Sequence, residues 1–376
     1  MATKQSSSLT LEDSEPPSES QTTTQPKIEA PIKPVNGDRW SFFYASQLQN
    51  KTLAILYSDA KREEFPTDDQ YLTEVEIFER AKIIAPYFEK LGLKVVLLPG
   101  NSELPNQLIK IKPDLILNLV DSVRGKEYLA STIPALLDLF NFNYTGSGGL
   151  GLAINSNKFL TKKLLEQAGV PLPRYQLFNT SNDPIDPQLK FPLISKLNEI
   201  HGSVAIDQSA ISENEVQLRS RLKKFISLYH QPMIVEEFIV GRELTAYVFE
   251  GVVRKVYIAE KKFVETAEKY KIASFDAVWK GINSYDYVRT ENQGILESYV
   301  RTAFDVLKMD DYSKFDIRQD ESGRYYFIDC NANPAFGPLE TDCAISHVLK
   351  VYNIDFNEII RRLIANALKE ESESKT

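Results

Sequence analysis

The clearest candidates for chemistry lie in two neighbouring strands near the C-terminus. Asp316 lies in the first strand, and Asp329 and Asn331 come at the end of the second. Because strand side chains alternate, Asp329 and Asn331 share one face, and a hairpin brings Asp316 beside them. Carboxylate and carboxamide oxygens are the ligands that Mg²⁺ prefers. The sequence therefore predicts a magnesium site here; the alternative is a surface hairpin with solvated acids.

Two lysines stand at positions suited to phosphate. Lys158 opens a predicted helix after a glycine-rich segment, and Lys196 ends an apolar strand. The loop His201-Gly202-Ser203 follows, and its backbone amides can hold phosphate oxygens. A solvated surface charge is the alternative for each lysine, and His201 is interpreted as a surface loop histidine.

A third group of candidates follows another strand. Glu236 and Glu237 end an apolar run, Ile239 comes next, and Glu243 opens the following strand. Acids at such strand ends can accept hydrogen bonds from an adenine amino group and from ribose hydroxyls. Taken alone, this pattern is weak.

Strands and helices alternate in the first part of the folded chain. Thr52–Tyr57, Lys94–Leu98 and Asp114–Val120 are short apolar runs typical of buried strands. Thr73–Leu91 has apolar residues at helical spacing, and Ala130–Phe140 is a second helix, with Pro134 as a potential kink. This alternation predicts a parallel sheet covered by helices on both faces.

Short strands dominate after Gly169, with fewer helices between them. The predicted strands are Tyr175–Phe178, Leu193–Lys196, Met233–Ile239, Leu244–Phe249, Val252–Ala259, Lys314–Arg318 and Tyr325–Cys330. The predicted helices are Glu213–Tyr229, Ile295–Leu307 and Phe356–Leu368. The whole is an α/β protein.

Composition excludes several classes of protein. The 376 residues are 43% hydrophobic and 26% charged, as in ordinary globular domains, and the net charge of −8 disfavours nucleic acid as a partner. No apolar run approaches the roughly 20 residues that span a membrane. The two cysteines cannot form a disulfide framework. Without a secretory signal, the cytoplasm is the expected compartment.

The segment Gly146–Gly151 matches G-x-G-x-x-G, the dinucleotide fingerprint. That motif needs a strand before it, a helix after it and an acidic residue at the end of the next strand. The nearest acidic residue, Glu166, lies instead within the helical pattern Lys158–Ala168. We interpret the segment as a flexible glycine linker, which disfavours a nicotinamide-dependent dehydrogenase.

The order of these motifs resembles the D-alanine–D-alanine ligase branch of the ATP-grasp superfamily. The resemblance covers roughly residues 53–368, and its spacing is kept without gaps from Tyr144 to Lys158, from Glu236 to Glu243 and from Asp316 to Asn331. It implies an ATP-grasp fold of three domains, with a Rossmann-like N-terminal domain and ATP bound between the central and C-terminal domains. The expected ranges are a disordered tail at 1–48 and domains at 49–147, 148–242 and 243–376.

The same resemblance implies roles for the matching residues. Lys158, Lys196 and the Ser203 loop would contact nucleotide phosphates, while Glu236, Glu237 and Ile239 would line the adenine pocket. Glu243 would bind ribose. Asp316, Asp329 and Asn331 would hold two Mg²⁺ ions. Asp316→Asn is then expected to abolish turnover and to leave the fold intact.

Several residues depart from the family pattern. Asp329 replaces a glutamate, and Lys314 replaces an arginine that would stabilise the oxyanion of the tetrahedral intermediate, with Arg318 as a candidate substitute. Val278 stands where the family has a phosphate-contacting lysine; Lys269 or Lys280 are candidate replacements. Glu340, near the expected substrate carboxylate, puts D-alanine in doubt as the second substrate. The segment Ser58–Gln70 does not clearly contain the family's substrate-binding glutamate.

The predicted activity is ATP- and magnesium-dependent ligation of a carboxylate to an amine, through an acyl phosphate, on amino acids or small peptides. D-alanine–D-alanine ligase activity proper is one alternative. A catalytically inactive nucleotide-binding partner or regulator is the alternative from another class. The resemblance also suggests a homodimer, and no nucleic-acid or membrane partner is expected.

Overall fold

The computed structural model describes residues 48–251, 253–280, 285–290 and 294–373, with side chains up to residue 368. The predicted N-terminal tail, 1–48, lies outside the described residues except for its last residue, Leu48. Three sheets, one after another along the chain, organise the described residues.

The first sheet is parallel, with the strand order β2-β1-β3-β4. Its strands are β1 (Thr52–Tyr57), β2 (Lys94–Pro99), β3 (Leu115–Leu119) and β4 (Tyr144–Thr145), and its helices are α1 (Asp68–Glu89), α2 (Leu104–Ile111) and α3 (Thr132–Leu139). β1 and β3 are apolar because helices cover the sheet, and their side chains are almost fully buried. α1 begins where the Thr67 hydroxyl accepts a hydrogen bond from the Gln70 amide at 3.2 Å.

The second sheet is antiparallel, with the strand order β5-β8-β6-β7. It contains β5 (Tyr175–Phe178), β6 (Leu193–Leu197), β7 (Ile211–Ser212) and β8 (Met233–Glu237). Helix α6 (Glu215–Tyr229) packs on it through Leu218 and Leu222, which are fully buried. The last residues of β6 and β8 carry the predicted Lys196, Glu236 and Glu237.

The third sheet is antiparallel, with the strand order β11-β10-β9-β12-β13. Its strands are β9 (Arg242–Phe249), β10 (Lys255–Phe263), β11 (Tyr285–Arg289), β12 (Tyr312–Gln319) and β13 (Tyr325–Asn331). The remaining helices are α4 (Gly149–Asn155), α5 (Lys158–Gln167), α7 (Phe275–Trp279), α8 (Gly294–Val306), α9 (Ala344–Val351) and α10 (Phe356–Glu373). α10 shares a hydrophobic core with β1, because Ile360 and Leu363 belong to the same buried cluster as Leu53 and Ile55.

Two local predictions are wrong. The glycine segment is not a flexible linker, because Gly148 caps α4 and a Cβ on Gly151 would collide with the Lys308 carbonyl oxygen. Close packing, rather than flexibility, requires that glycine. Pro134 does not kink a helix either, since α3 begins at Thr132 and places the proline in its first turn, where no hydrogen bond is lost.

The three sheets occupy residues 52–145, 175–237 and 242–331. The predicted domain boundaries fall near the gaps between these ranges and stay a prediction. None of the described helices is long and apolar enough to cross a membrane.

Candidate active site

A cavity of about 610 Å³ is lined by residues from all three sheets. Every residue predicted to serve catalysis, nucleotide binding or metal binding contributes to its wall. These residues are Lys158, Lys196, Ser203, Glu236, Glu237, Ile239, Glu243, Lys314, Asp316, Arg318, Asp329 and Asn331. Positions spread over more than 170 residues of sequence therefore converge on one space.

The two predicted phosphate lysines are buried in the cavity wall. Lys158 is 7% exposed, and its Nζ donates to the Ile200 carbonyl at 2.7 Å, while Lys196 Nζ donates to the Ile328 carbonyl at 2.7 Å. Burial lowers the pKa of Lys158, although the nearby carboxylates, Asp329 first among them, oppose this shift. The alternative of solvated surface lysines is wrong.

The loop after Lys196 is fixed by long-range hydrogen bonds. His201 is not a surface histidine: its amide donates to Glu127 Oε1 at 2.9 Å, and its Nδ1 lies 2.6 Å from Glu127 Oε2. Gly202 and Ser203 have φ values of 69° and 56°, and the Gly202 carbonyl accepts from Trp279 Nε1 at 2.7 Å. This held loop presents Ser203 to the cavity.

Glu236 is an ion-pair partner rather than a free acceptor. It is fully buried, and its carboxylate lies 3.3 Å from both Lys162 Nζ and Lys196 Nζ. Glu237 accepts from the Lys190 amide at 2.9 Å. The predicted hydrogen bond from adenine to a strand-end acid therefore has no uncommitted carboxylate at Glu236, although the position lines the cavity.

The predicted ribose acid, Glu243, is held by two cations from neighbouring strands. Its Oε1 accepts from Lys261 Nζ at 2.8 Å, and its Oε2 accepts from Arg318 Nη2 at 2.6 Å. Arg318 also donates to the Ile239 and Lys271 carbonyls. Arg318 does point inward, but its guanidinium is occupied at the Glu243 end of the cavity. Its predicted oxyanion role is therefore weaker than that of Lys314.

The predicted metal ligands meet as expected from strand pairing. Asp316 and Asp329 are direct partners across β12 and β13. Asp316 Oδ1 accepts from Thr245 Oγ1 at 2.8 Å and from Lys261 Nζ at 3.2 Å, and Oδ2 accepts from Lys314 Nζ at 2.6 Å. Burial alone would raise the pKa of Asp316, but Lys261 and Lys314 hold it below its usual range.

Asp329 and Asn331 differ from Asp316 because their side chains make no hydrogen bond or ion pair with the described residues. Burial opposes ionisation of Asp329, yet Lys158, His201 and Lys196 lower its pKa. A charged carboxylate and a carboxamide with uncommitted oxygens fit a hard divalent cation. In the described part of the chain, no site is formed by three or more Asp, Glu, His or Cys side chains, so the amide of Asn331 is an essential part of this set.

The substitution at Val278 is not compensated by the lysines expected from sequence. Lys269 pairs with Glu213, Lys280 pairs with Asp276, and neither lines the cavity. Lys261 does line it, and sequence analysis missed this residue. Its signal was cross-strand pairing, since Lys261 lies directly opposite Glu243.

Glu340 is also misplaced by the sequence interpretation. Its Oε1 accepts a hydrogen bond from the Tyr87 hydroxyl at 2.9 Å, and the side chain does not line the cavity. The inference that Glu340 repels a substrate carboxylate is therefore wrong.

Sequence analysis missed an acidic wall formed by Glu74 on α1, by Asp121 after β3 and by Glu127. Glu74 is 3% exposed, and its Oε2 is buried without a hydrogen-bond partner. Burial and the charges of Asp121 and Glu127 raise the pKa of Glu74 well above its ordinary value. Buried carboxylates facing a cavity fit a cationic group of a ligand.

Asp121 gives this wall a testable pH dependence. Burial, with Glu127, raises the pKa of Asp121 to about 7, so the folded state keeps a proton that the unfolded state loses near pH 4. Stability contributed by this group therefore falls as pH rises from about 4 to 7. Asp121→Asn removes that loss, and we expect its melting temperature to exceed that of the wild type at pH 8 but not at pH 4.

Thermal unfolding followed by circular dichroism at both pH values measures this effect. Asp138→Asn, which changes an exposed acid, is the control and should differ from the wild type equally at pH 4 and pH 8. An Asp121→Asn difference that is the same at both pH values would contradict the buried-acid assignment.

Comparison with known proteins agrees with this arrangement. The chain shares the ATP-grasp fold with D-alanine–D-alanine ligase from Bacillus anthracis, whose crystal structure was solved in complex with ATP. The TM-score is 0.63 at 18% identity, covering 86% of this chain and 99% of that one. The predicted fold class is confirmed.

Residues 164–365 match the family model for the D-Ala-D-Ala ligase C-terminus, and the chain belongs to that family. It is 25% identical over 287 residues to the D-alanine–D-alanine ligase of Aquifex aeolicus, covering 75% of this chain and 92% of the relative. The D-alanine–D-alanine ligase of Geobacillus kaustophilus is 27% identical over 281 residues, with 70% and 71% covered. The resemblance stated from the motifs is confirmed.

Proposed function

We propose that this protein is an ATP-dependent carboxylate–amine ligase that forms an amide bond between amino-acid-like substrates. One observation carries the proposal: a single cavity joins a wall of buried lysines to a wall of buried acids. Lys158 and Lys196 suit phosphates, and Glu74 and Asp121 suit an amine. Membership of the family supports the same chemistry.

The nucleotide would lie between the second and third sheets. Lys158, Lys196 and the Ser203 loop would bind its phosphates, and Ile239 with Phe238 would contact the adenine. Glu243, positioned by Lys261 and Arg318, would accept from the ribose hydroxyls. Glu236 holds Lys196 in place, so its role is to position a phosphate ligand rather than to read the base.

Asp329 and Asn331 would hold Mg²⁺, and Asp316 would contribute only by sharing its carboxylate with Lys261 and Lys314. When bound, the cation supplies charge neutralisation for the nucleotide phosphates. Family resemblance suggests two ions. A homodimer and a cytoplasmic location are proposals of the same origin.

The reaction then proceeds in two displacements. A substrate carboxylate oxygen attacks the γ-phosphorus, a new O–P bond forms, the β–γ bond breaks, and ADP leaves. The amine of the second substrate attacks the acyl carbon, loses a proton and expels phosphate, which leaves the amide. Lys314 on β12 faces the same space as Asp329 and would stabilise the oxyanion of the tetrahedral intermediate.

Loss of catalysis is the competing candidate, and Val278 favours it, because this residue lines the cavity where the family has a lysine. Lys261 argues against it, since it supplies a buried ammonium to the same cavity. D-alanine–D-alanine ligase activity proper is the alternative within the ligase class, suggested by the named relatives.

Release of ADP and phosphate tests the proposal. Purified protein with ATP and Mg²⁺ is expected to release both only when supplied with particular pairs from a panel of L- and D-amino acids and dipeptides, D-alanine included. Mass spectrometry should find an amide product. ATP binding without release for any pair would instead favour the non-catalytic candidate.

A further inference from the structure

Arg80 is a buried arginine on α1 whose guanidinium has no protein partner. The residue is 7% exposed and lines the cavity. Its nitrogen atoms make no hydrogen bond or ion pair with any residue that the structure describes. Burying an ionised group in this state is costly, so such a side chain is expected to be satisfied by a ligand.

Other cations that line the cavity are already engaged. Lys158 donates to a carbonyl, Lys196 to Glu236, Lys261 to Glu243 and Asp316, Lys314 to Asp316, and Arg318 to Glu243, while His201 pairs with Glu127 and His347 with Asp342. Arg80 differs from this described set because its fork remains open. An open fork of five N–H donors matches a carboxylate better than any other common substrate group.

The surroundings of Arg80 hold it charged without neutralising it. Its charge lowers the pKa values of Asp121 and Glu76, which shows that both carboxylates lie within electrostatic range. Neither acid comes within the 4.0 Å of an ion pair. Arg80 therefore keeps its donors available for a ligand.

Arg80 also lies near the reacting end of the cavity. Asp121, whose charge it influences, accepts from Asn333 Nδ2 at 2.8 Å. Asn333 follows the metal-binding candidate Asn331 by two residues. A carboxylate held by Arg80 would thus be close to the acyl group formed at β13, and distant from the adenine wall around Phe238.

We propose that Arg80 binds the carboxylate of the amino acid that donates the amine. This deepens the proposed function and rests on it. The wall formed by Arg80, Glu74 and Asp121 then recognises free amino acids through opposite charges. Arg80 replaces the carboxylate contact that is lost with Val278. Acceptors without a free carboxylate, such as amino-acid carboxamides, are rejected.

A competition within one reaction tests the role of Arg80. The protein receives ATP, Mg²⁺, a pool of common L- and D-amino acids and an equal pool of their carboxamides. Mass spectrometry measures the ratio of dipeptides to dipeptide amides. We expect dipeptides to dominate with the wild type, and Arg80→Met to lower the ratio by about 10- to 100-fold, the worth of a charged hydrogen-bonded contact. Arg80→Lys keeps the charge without the fork and should give an intermediate ratio.

Lys82→Met is the matched control, because Lys82 is on the same helix but pairs with Glu79 at the surface; its ratio should equal that of the wild type. Equal amounts of both products from the wild type would overturn the Arg80 proposal and leave the ligase function standing. A strong preference for dipeptides that persists in Arg80→Met and Arg80→Lys would do the same. No product of either kind would instead overturn the proposed function, and the Arg80 proposal with it.

Discussion

Asp329→Asn is expected to reduce kcat for ATP-dependent ligation by about 100- to 1,000-fold, the usual effect of removing a preorganised charge from an active site. Asp329 lines the cavity with a carboxylate that no protein group occupies, between Lys158, Lys196 and His201. The amide has the same shape but cannot supply the negative charge that a divalent cation requires. Steady-state ADP release measures the loss, and fluorescence of a labelled ATP analogue measures nucleotide binding separately.

Asp329→Glu provides the matched control. It keeps the charge and restores the residue that is usual in the family, so most activity should remain even though the carboxylate moves by about one bond length. Near-normal ADP release by Asp329→Asn would show that this carboxylate does not hold the metal. Equal inactivity of Asp329→Glu and Asp329→Asn would point to shape, rather than charge, as the property that matters.

Local patterns were sufficient to predict most of the elements. β1 and β3 are short apolar runs because both faces of a parallel sheet are covered, and their observed bounds differ from the predicted ones by at most one residue. The meeting of Asp316 and Asp329 was predictable for a similar reason. A hairpin sets the register of its own two strands, and the period of two then decides which side chains share a face.

Contacts between distant segments were not predictable in this way. Glu74 and Arg80 lie in an amphipathic helix, where charged residues are ordinarily assigned to the solvent face. Only the packing of α1 beside the second and third sheets turns part of that face toward the cavity. The sequence carries no periodic signal for a polar face that is buried by another domain.

Electrostatic partners were the second gap. Glu236 was interpreted as a base-reading acid because a strand end suggests an open site, whereas its carboxylate is enclosed by Lys162 and Lys196. Lys162 follows Lys158 by four residues, which places both on one face of α5. That spacing was visible in the sequence, but it gained meaning only once β8 was known to lie opposite.

Asp316→Asn is expected to lower both turnover and stability, which revises the expectation from sequence that the fold would be unaffected. Asp316 and Glu243 are the two acids in a buried network with Lys261, Lys314 and Arg318. Neutralising Asp316 changes the formal charge of this network from +1 (three bases minus two acids) to +2. Removing one partner of a buried ion pair costs about 3–5 kcal/mol, so chemical denaturation should show a loss of that order.

The double variant Asp316→Asn/Lys261→Met separates the two effects. Removing the partner ammonium restores the charge balance, and an apolar side chain of similar length fills its place, so we expect most of the lost stability to return. ADP release should stay low, because the carboxylate beside Asp329 is still missing. Unchanged stability of Asp316→Asn would show that the network does not support the fold. Recovery of turnover in the double variant would show that Asp316 acts only by neutralising Lys261.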